Sequence, residues 1–420
     1  MYQMIISLFV SFLVALLLRL YGKNSSRNNS SCDKSKKSET TQTKLHLPED
    51  GVIRIALLTN ELPPIVYGGV STWILNFMKM FKDNPKIKVI PFFLAHIDEP
   101  HPTFFKNYPG LRILHKNSIK YDIKENFKDI TICVNNLWVA NDTVKMITEI
   151  NPHLKMISVI HSLIKMEHLT NLGSIYTNNF FEQENTFKYS DYVILISKAE
   201  EEYYKKFGYD KYKAKTFVIY NSYCPKFDKT NPDDFDYSSN TLGYIGRHVP
   251  RKRPELPVLA MDRYEQDIKV VNMGMKPDNE FWEKLDKKFD NLETIKFSTD
   301  KSNIAKYWGK VGCNCVTGVY EPFGYTICET LDRMVPAIVQ NIDGPKEILD
   351  EFSDCVYTYS VSSDYNKDID NFYKAFEKFM ATPPKVRKAN AIKARKALDP
   401  FRPENISKQW QKLFEDIFED

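Results

Sequence analysis

Read as apolar and polar positions, the chain alternates two kinds of segment from residue 53 onward. Short apolar runs bounded by polar residues predict buried strands: Ile53–Leu58, Val89–Leu94, Ile130–Val134, Leu154–Ile160, Tyr192–Ile196 and Phe217–Tyr220. Between them, Trp73, Ile74, Phe77, Met78 and Phe81 recur at helical spacing, and Asp142–Ile150 and Lys198–Phe207 predict further helices. A second series of strands runs through Thr241–Gly246, Lys269–Met273, Thr294–Phe297, Cys313–Thr317 and Ala337–Gln340. Its helices are expected near Phe281–Phe289, Asn303–Trp308, Asp370–Met380 and Pro384–Leu398. Alternation of this kind predicts mostly parallel sheets covered on both faces, an α/β architecture of two domains. Trp410, Phe414 and Phe418 line one face of a final helix, expected to cross back onto the first domain. The expected organisation is a hydrophobic segment 1–21, a tether 22–46, a first domain 47–224, a linker 225–239, a second domain 240–398 and the final helix 399–420.

Composition changes that picture mainly at the N-terminus. Met4 to Leu18 is almost wholly apolar, and Arg19, Lys23 and Arg27 follow it. This predicts a single uncleaved membrane anchor, with the positive flank keeping the body cytosolic. Residues 23–44 are Ser, Asn, Lys and Thr without an apolar pattern, which predicts a disordered basic tether. Sequons at Asn24, Asn28, Asn29, Asn141 and Asn405 would report any lumenal exposure. The net charge of +4 resides in this region: residues 1–44 carry seven Lys or Arg against Asp33 and Glu39, which leaves the remainder at −1. A near-neutral body gives no support to a nucleic-acid-binding surface. Seven cysteines without a CxxC pair suit a reducing compartment, and Cys313 and Cys315 read as small buried hydrophobes.

Three stretches carry candidate chemistry. In Val319–Leu331 the chain leaves a strand, turns through Glu321-Pro322-Phe323-Gly324 and enters a helix marked by Ile327, Thr330, Leu331 and Met334. Free N–H groups at such a helix start attract a phosphate or a polar sugar ring. Eight residues of helix between Glu321 and Glu329 span about 12 Å. A glycosidase carboxylate pair needs roughly 5 to 9.5 Å, so the two acids are expected to grip different parts of one long ligand. Arg247-His-Val-Pro-Arg-Lys252, directly after a strand, suits a departing diphosphate, and it is equally what a basic surface loop looks like. Glu61-Leu-Pro-Pro-Ile-Val-Tyr-Gly-Gly-Val70 brings Gly68 and Gly69 to a helix start, where backbone can approach an anion or serve only as a tight turn. His161 and Asn221-Ser222 each follow a strand, where ligand sites of open α/β sheets cluster. Asp234-Phe235-Asp236 lies in turn-rich sequence and reads as a solvated acidic turn.

The Glu321–Glu329 stretch resembles the E-x7-E signature of retaining glycosyltransferases with the GT-B fold. Together with Pro63-Pro64…Gly68-Gly69-Val70, Val159-Ile160-His161, Asp191–Ser197, Gly246-Arg247…Lys252 and Gly344-Pro-Lys-Glu347, it makes the chain resemble glycosyltransferase family 4 from Ile53 to the C-terminus. The resemblance implies two Rossmann-like doubly wound domains facing a central cleft. It implies transfer of a sugar from a UDP- or GDP-sugar to an acceptor hydroxyl on a glycan, lipid or protein, with retained configuration. By position, Arg247 and Lys252 would hold the donor pyrophosphate, and Glu329 the ribose hydroxyls. Glu321, with backbone N–H groups from Phe323 through Gly324 to Tyr325, would hold the sugar. His161 would approach that sugar from the first domain, and the Gly68–Gly69 backbone would face phosphate or acceptor. No cofactor and no metal is implied, because the two cations do the electrostatic work. The chain departs from the family pattern at Arg253 (commonly glycine), at Thr317-Gly318, at Asn221-Ser222 and at Asn341–Gly344. An epimerase or phosphorylase on the same fold, or an inactive tethered scaffold, are the alternatives.

Overall fold

The computed structural model describes residues 47–419 apart from 67, 96–105, 139–141, 172–177, 226–230, 265–267, 275–286, 288–291 and 297–300. The expected anchor and tether, and nearly all of the helix expected at 281–289, lie outside the described residues. Among the described residues no helix is long and apolar enough to cross a membrane.

The first lobe holds seven parallel strands: β1 (Ile53–Thr59), β2 (Ile87–Ala95), β3 (Arg112–His115), β4 (Ile132–Asn135), β5 (Lys155–Ile160), β6 (Tyr192–Leu195) and β7 (Lys215–Val218). Their order is β3-β2-β1-β4-β5-β6-β7. The second lobe holds six: β8 (Leu242–Ile245), β9 (Val270–Gly274), β10 (Leu292–Lys296), β11 (Cys313–Val316), β12 (Ala337–Gln340) and β13 (Tyr357–Tyr359), ordered β10-β9-β8-β11-β12-β13. Every recorded strand pair is parallel. The order in which strands are added therefore reverses once in each sheet, between β1 and β4 and between β8 and β11. Such switch points open a crevice at the carboxyl ends of the strands.

The apolar runs become strands because both sheet faces are covered, so no alternation is required. Ile55, Leu57 and Leu58 of β1 are fully buried, as are Ile338 and Val339 of β12. The strand expected at Phe217–Tyr220 lies two residues earlier, at Lys215–Val218. Helix Tyr325–Asp332 stops before Met334, which has φ 57°. The helix expected to run to Leu398 stops at Ala394 and continues as a 3-10 segment, Arg395–Phe401. Strands β3 and β13 and helix Ile164–Thr170 have no clear apolar period and are legible only in the fold. Cys313 and Cys315 are buried in β11, and burial raises both thiols.

Helix Pro403–Glu419 packs against helix Gly69–Phe81 of the first lobe. Trp410 packs edge-on to Phe77 at 5.1 Å and Phe414 lies 6.0 Å from Phe81, both on helix Gly69–Phe81. Phe418 is only partly buried, and Ile417 takes the inner position beside it.

Candidate functional site

The site is built from the loops after β8 and β11 at the second switch point. After β11 the backbone needs two glycines for separate reasons. Gly318 has φ 150°, and a Cβ there would lie 2.9 Å from the Arg251 carbonyl. Gly324 has φ 100° and opens helix Tyr325–Asp332, with Ile327 N–H donating to its carbonyl at 3.1 Å. Between them stands Glu321. Its backbone is clamped by helix Asp343–Leu349: Glu321 N–H donates to Asp343 Oδ2 at 3.1 Å, and Gly344 N–H donates to the Glu321 carbonyl at 3.1 Å.

The loop after β8 delivers the cations. Lys252 Nζ donates to Glu321 Oε2, so the two positions singled out in separate motifs form an ion pair. Burial opposes ionisation of both. For Glu321 the attraction of Lys252, Arg251 and Arg247 outweighs it, and the carboxyl ends below its usual value. Lys252 is held below its own by burial, and Arg251 and Arg247 add repulsion. An ammonium crowded by two guanidiniums, with one carboxylate among them, is disposed to receive a further anion. Arg247 is exposed, and its charge reaches both Glu321 and Glu61 of the first lobe.

Three of the four departures from the family pattern have physical accounts. Arg253 keeps the left-handed conformation (φ 45°) that a glycine would adopt without cost, and its guanidinium pairs with the buried Asp368. The Thr317 hydroxyl lies 2.7 and 2.9 Å from the carbonyls of Lys252 and Arg253, which ties the cationic loop to β11. Ser222 offers its carbonyl to Asn76 Nδ2 at 2.8 Å and to the Tyr325 hydroxyl at 3.3 Å, one from each lobe.

On the first lobe, Gly68 and Gly69 open helix Gly69–Phe81, and a Cβ on Gly69 would meet Tyr325 Cδ2 at 3.9 Å. This loop therefore faces the Phe323–Gly324–Tyr325 turn. His161 directly follows β5, edge-on to Trp73 at 5.3 Å. Its Nε2 lies 2.9 Å from Asn136 Oδ1, whose amide nitrogen donates to the Val134 carbonyl. That arrangement puts the proton on Nε2 and leaves Nδ1 as an acceptor. Burial lowers His161 to about 3, so it is a neutral hydrogen-bonding group at any ordinary pH. Glu329 is partly buried on helix Tyr325–Asp332, within electrostatic reach of Arg333.

Sequence reasoning passed over several residues here. Glu61 is raised by burial and opposed by Arg247. Arg251 is buried and pairs with Glu167 of the first lobe. Asp343 accepts from Tyr203 at 2.9 Å, again across the lobes, and burial raises it to about 6. Glu347 caps the first-lobe helix Lys198–Lys206, accepting N–H of Lys198 and Ala199 at 3.0 and 2.8 Å. None of these has a local signal except Glu347, which closes the Gly344-Pro-Lys-Glu motif.

Glu200, wholly buried beside the Tyr320 hydroxyl, is pushed up to about 8 by burial. The folded state thus keeps a proton that an unfolded Glu releases near pH 4.3. Stability from this group is full below that pH and is lost as pH rises toward 8. Urea midpoints should fall between pH 5 and pH 8, and Glu200→Gln should flatten that slope by on the order of a few kcal/mol. An unchanged slope in the variant would assign the pH dependence elsewhere.

Residues 227–397 match the family model of glycosyl transferases group 1. A probable sucrose-phosphate synthase of Thermosipho melanesiensis is 28% identical over 188 residues, 39% of this chain and 42% of that protein. The aligned segment thus spans less than half of that relative's length. HepE from Anabaena, solved with UDP and glucose, superposes with a TM-score of 0.67 at 14% identity, over 87% of this chain and 100% of that one. Sucrose-phosphate synthase from Thermosynechococcus elongatus superposes at 0.68 with 17% identity, over 87% and 99%. The catalytic domain of starch synthase IV from Arabidopsis thaliana, bound to ADP and acarbose, superposes at 0.62 with 12% identity, over 88% and 100%. The chain has the GT-B fold of these structures. Its match to the glycosyl transferases group 1 model lies in the second lobe.

Proposed function

We propose that this protein is a retaining glycosyltransferase that moves a hexosyl group from a UDP- or GDP-sugar to an acceptor hydroxyl. The observation that carries the reading is the Lys252–Glu321 ion pair at the second switch point, with Arg247 beside it. In this scheme Arg247 and Lys252 take the diphosphate and stabilise it as it leaves. Glu321 is freed from Lys252 to hold sugar hydroxyls, and Glu329 takes the ribose. His161, neutral, accepts a hydrogen bond from sugar or acceptor without moving a proton. The departing phosphate itself removes the acceptor's proton in a front-face attack. Two of the superposed structures hold UDP or ADP, which supports a nucleoside diphosphate as the ligand.

The test is a thermal-shift screen of UDP, GDP and ADP followed by assay of nucleotide release from the corresponding sugars. At 100 times Kd the ligand stabilises by about 2.7 kcal/mol, which raises the midpoint by several degrees. No shift with any nucleotide, and no release, sinks the reading. An epimerase would instead return the nucleotide sugar with one carbon inverted, with no acceptor and no net release of nucleotide.

Residues 1–21 are proposed to anchor the chain in a membrane, with the folded body on the cytosolic side, on the strength of the apolar run and the Arg19, Lys23, Arg27 flank. Deleting 1–21 should move the chain from the carbonate-resistant membrane pellet to the supernatant. Glycosylation at Asn141 or Asn405 in the full chain would refute the cytosolic placement.

A further inference from the structure

The residues that precede the functional pair are both held by the opposite lobe. Arg251, directly before Lys252, has a side chain 5% exposed, and its Nε lies 2.8 Å from Glu167 Oε2 on helix Ile164–Thr170. Glu167 is itself nearly buried and also accepts Asn171 Nδ2 at 3.1 Å, while Asn171 Oδ1 accepts the Arg251 N–H at 3.4 Å. Tyr320, directly before Glu321, is fully buried, and its hydroxyl accepts the Leu163 N–H at 2.9 Å.

The two preceding residues are also joined to each other. Arg251 Nη1 donates to the Tyr320 carbonyl at 3.1 Å, and Val319 N–H donates to the Arg251 carbonyl at 2.9 Å. A planar guanidinium between a carboxylate and a carbonyl has little freedom to rotate. Lys252 is therefore referred to the first lobe through Arg251, and Glu321 through Arg251 together with Tyr320 and Asp343.

We propose that Glu167 is a positioning residue: through Arg251 it registers Lys252 and Glu321 against the first lobe, so that ammonium and carboxylate are aligned only when the lobes are docked. This rests on the glycosyl-transfer reading of the cleft. The bland role of the same contact is a staple between lobes, which would lower stability and leave chemistry alone.

The pair lends itself to a separation of the two. Removing one partner strands a buried charge and is strongly destabilising, whereas replacing both with apolar groups of similar size is often tolerated. The double variant Glu167→Met/Arg251→Met is expected to stay folded. Its Arg251-position and Val319 amides should exchange about tenfold faster or more, with other second-lobe amides unchanged. With the donor that wild type accepts, kcat should fall about 100-fold, the scale of a displacement near 1 Å, and by more than donor KM rises. The charge swap Glu167→Arg/Arg251→Glu should restore part of kcat. Should the double variant fail to fold, Glu167→Asp, which keeps the charge on a shorter stem, is read by the same two measurements.

Unchanged exchange at the two amides in a folded variant overturns the proposal, and so does faster exchange with kcat within about twofold of wild type. If wild type turns over no donor, the glycosyl-transfer reading falls by itself. Amide exchange at Val319 and position 251 then still decides whether Glu167 registers the loop.

Discussion

Lys252→Ala is expected to lower kcat/KM for the nucleotide sugar by about 100- to 1,000-fold, the usual scale for losing one group that stabilises developing negative charge in a dry site. Two effects combine. The variant lacks the ammonium that would face the leaving diphosphate. It also leaves Glu321 without its nearest cation, so a carboxylate held below its usual pKa by Lys252, Arg251 and Arg247 loses a main support. That carboxylate then repels the incoming dianion, and donor KM should rise together with the fall in kcat. Lys252 lies on a 3-10 turn whose backbone is fixed by Val249 and Thr317, so the fold should persist, with a thermal midpoint lowered by several degrees because the Glu321 carboxylate is left without its nearest cation. Turnover within twofold of wild type in steady-state nucleotide release would remove Lys252 from the phosphate site.

Gly344→Ala is expected to do comparable damage from a position that touches no ligand. A Cβ at 344 would fall 2.4 Å from Phe323 Cα, 2.5 Å from the Phe323 carbonyl oxygen and 2.6 Å from the Pro322 carbonyl oxygen. All three are backbone atoms, so no side-chain rotation relieves the overlap. Helix Asp343–Leu349 has to move away from the Glu321 turn, and with it go the Gly344 N–H bond to the Glu321 carbonyl and the Asp343 bond to Glu321 N–H. Overpacking of this kind costs about 1–3 kcal/mol. The displaced carboxylate should cost about 100-fold in kcat/KM. Thermal melts and kinetics on the same preparation check both. A midpoint and a kcat/KM both matching wild type would show that helix and turn separate without consequence.

These two cases illustrate how differently the site was legible. Glu321, Gly324 and Lys252 stand in local patterns, and the resemblance of those patterns to a family was enough to pick them out. Gly344 appeared only as a motif letter, and its contact with Phe323 exists because two loops after different strands cross. His161 was legible as a strand-end histidine, but its neutrality comes from burial beside Trp73 and Asn136. Glu61 was quoted in its loop without a role, since nothing near it in sequence discloses that Arg247 lies across the cleft.

The amino-acid sequence by itself determined the alternation of strands and helices, the two-lobed α/β class and the turn that carries Glu321. Each of these depends on interactions within about a dozen residues: apolar periodicity, glycine at a positive φ, a free helix start. The tertiary structure alone decided that Lys252 is paired with Glu321, that Arg251 is bound to Glu167, and that Asp343 and Glu347 reach the other lobe. Those partners lie far apart along the chain, and a carboxylate selects its cation by distance and desolvation, which only the folded backbone sets.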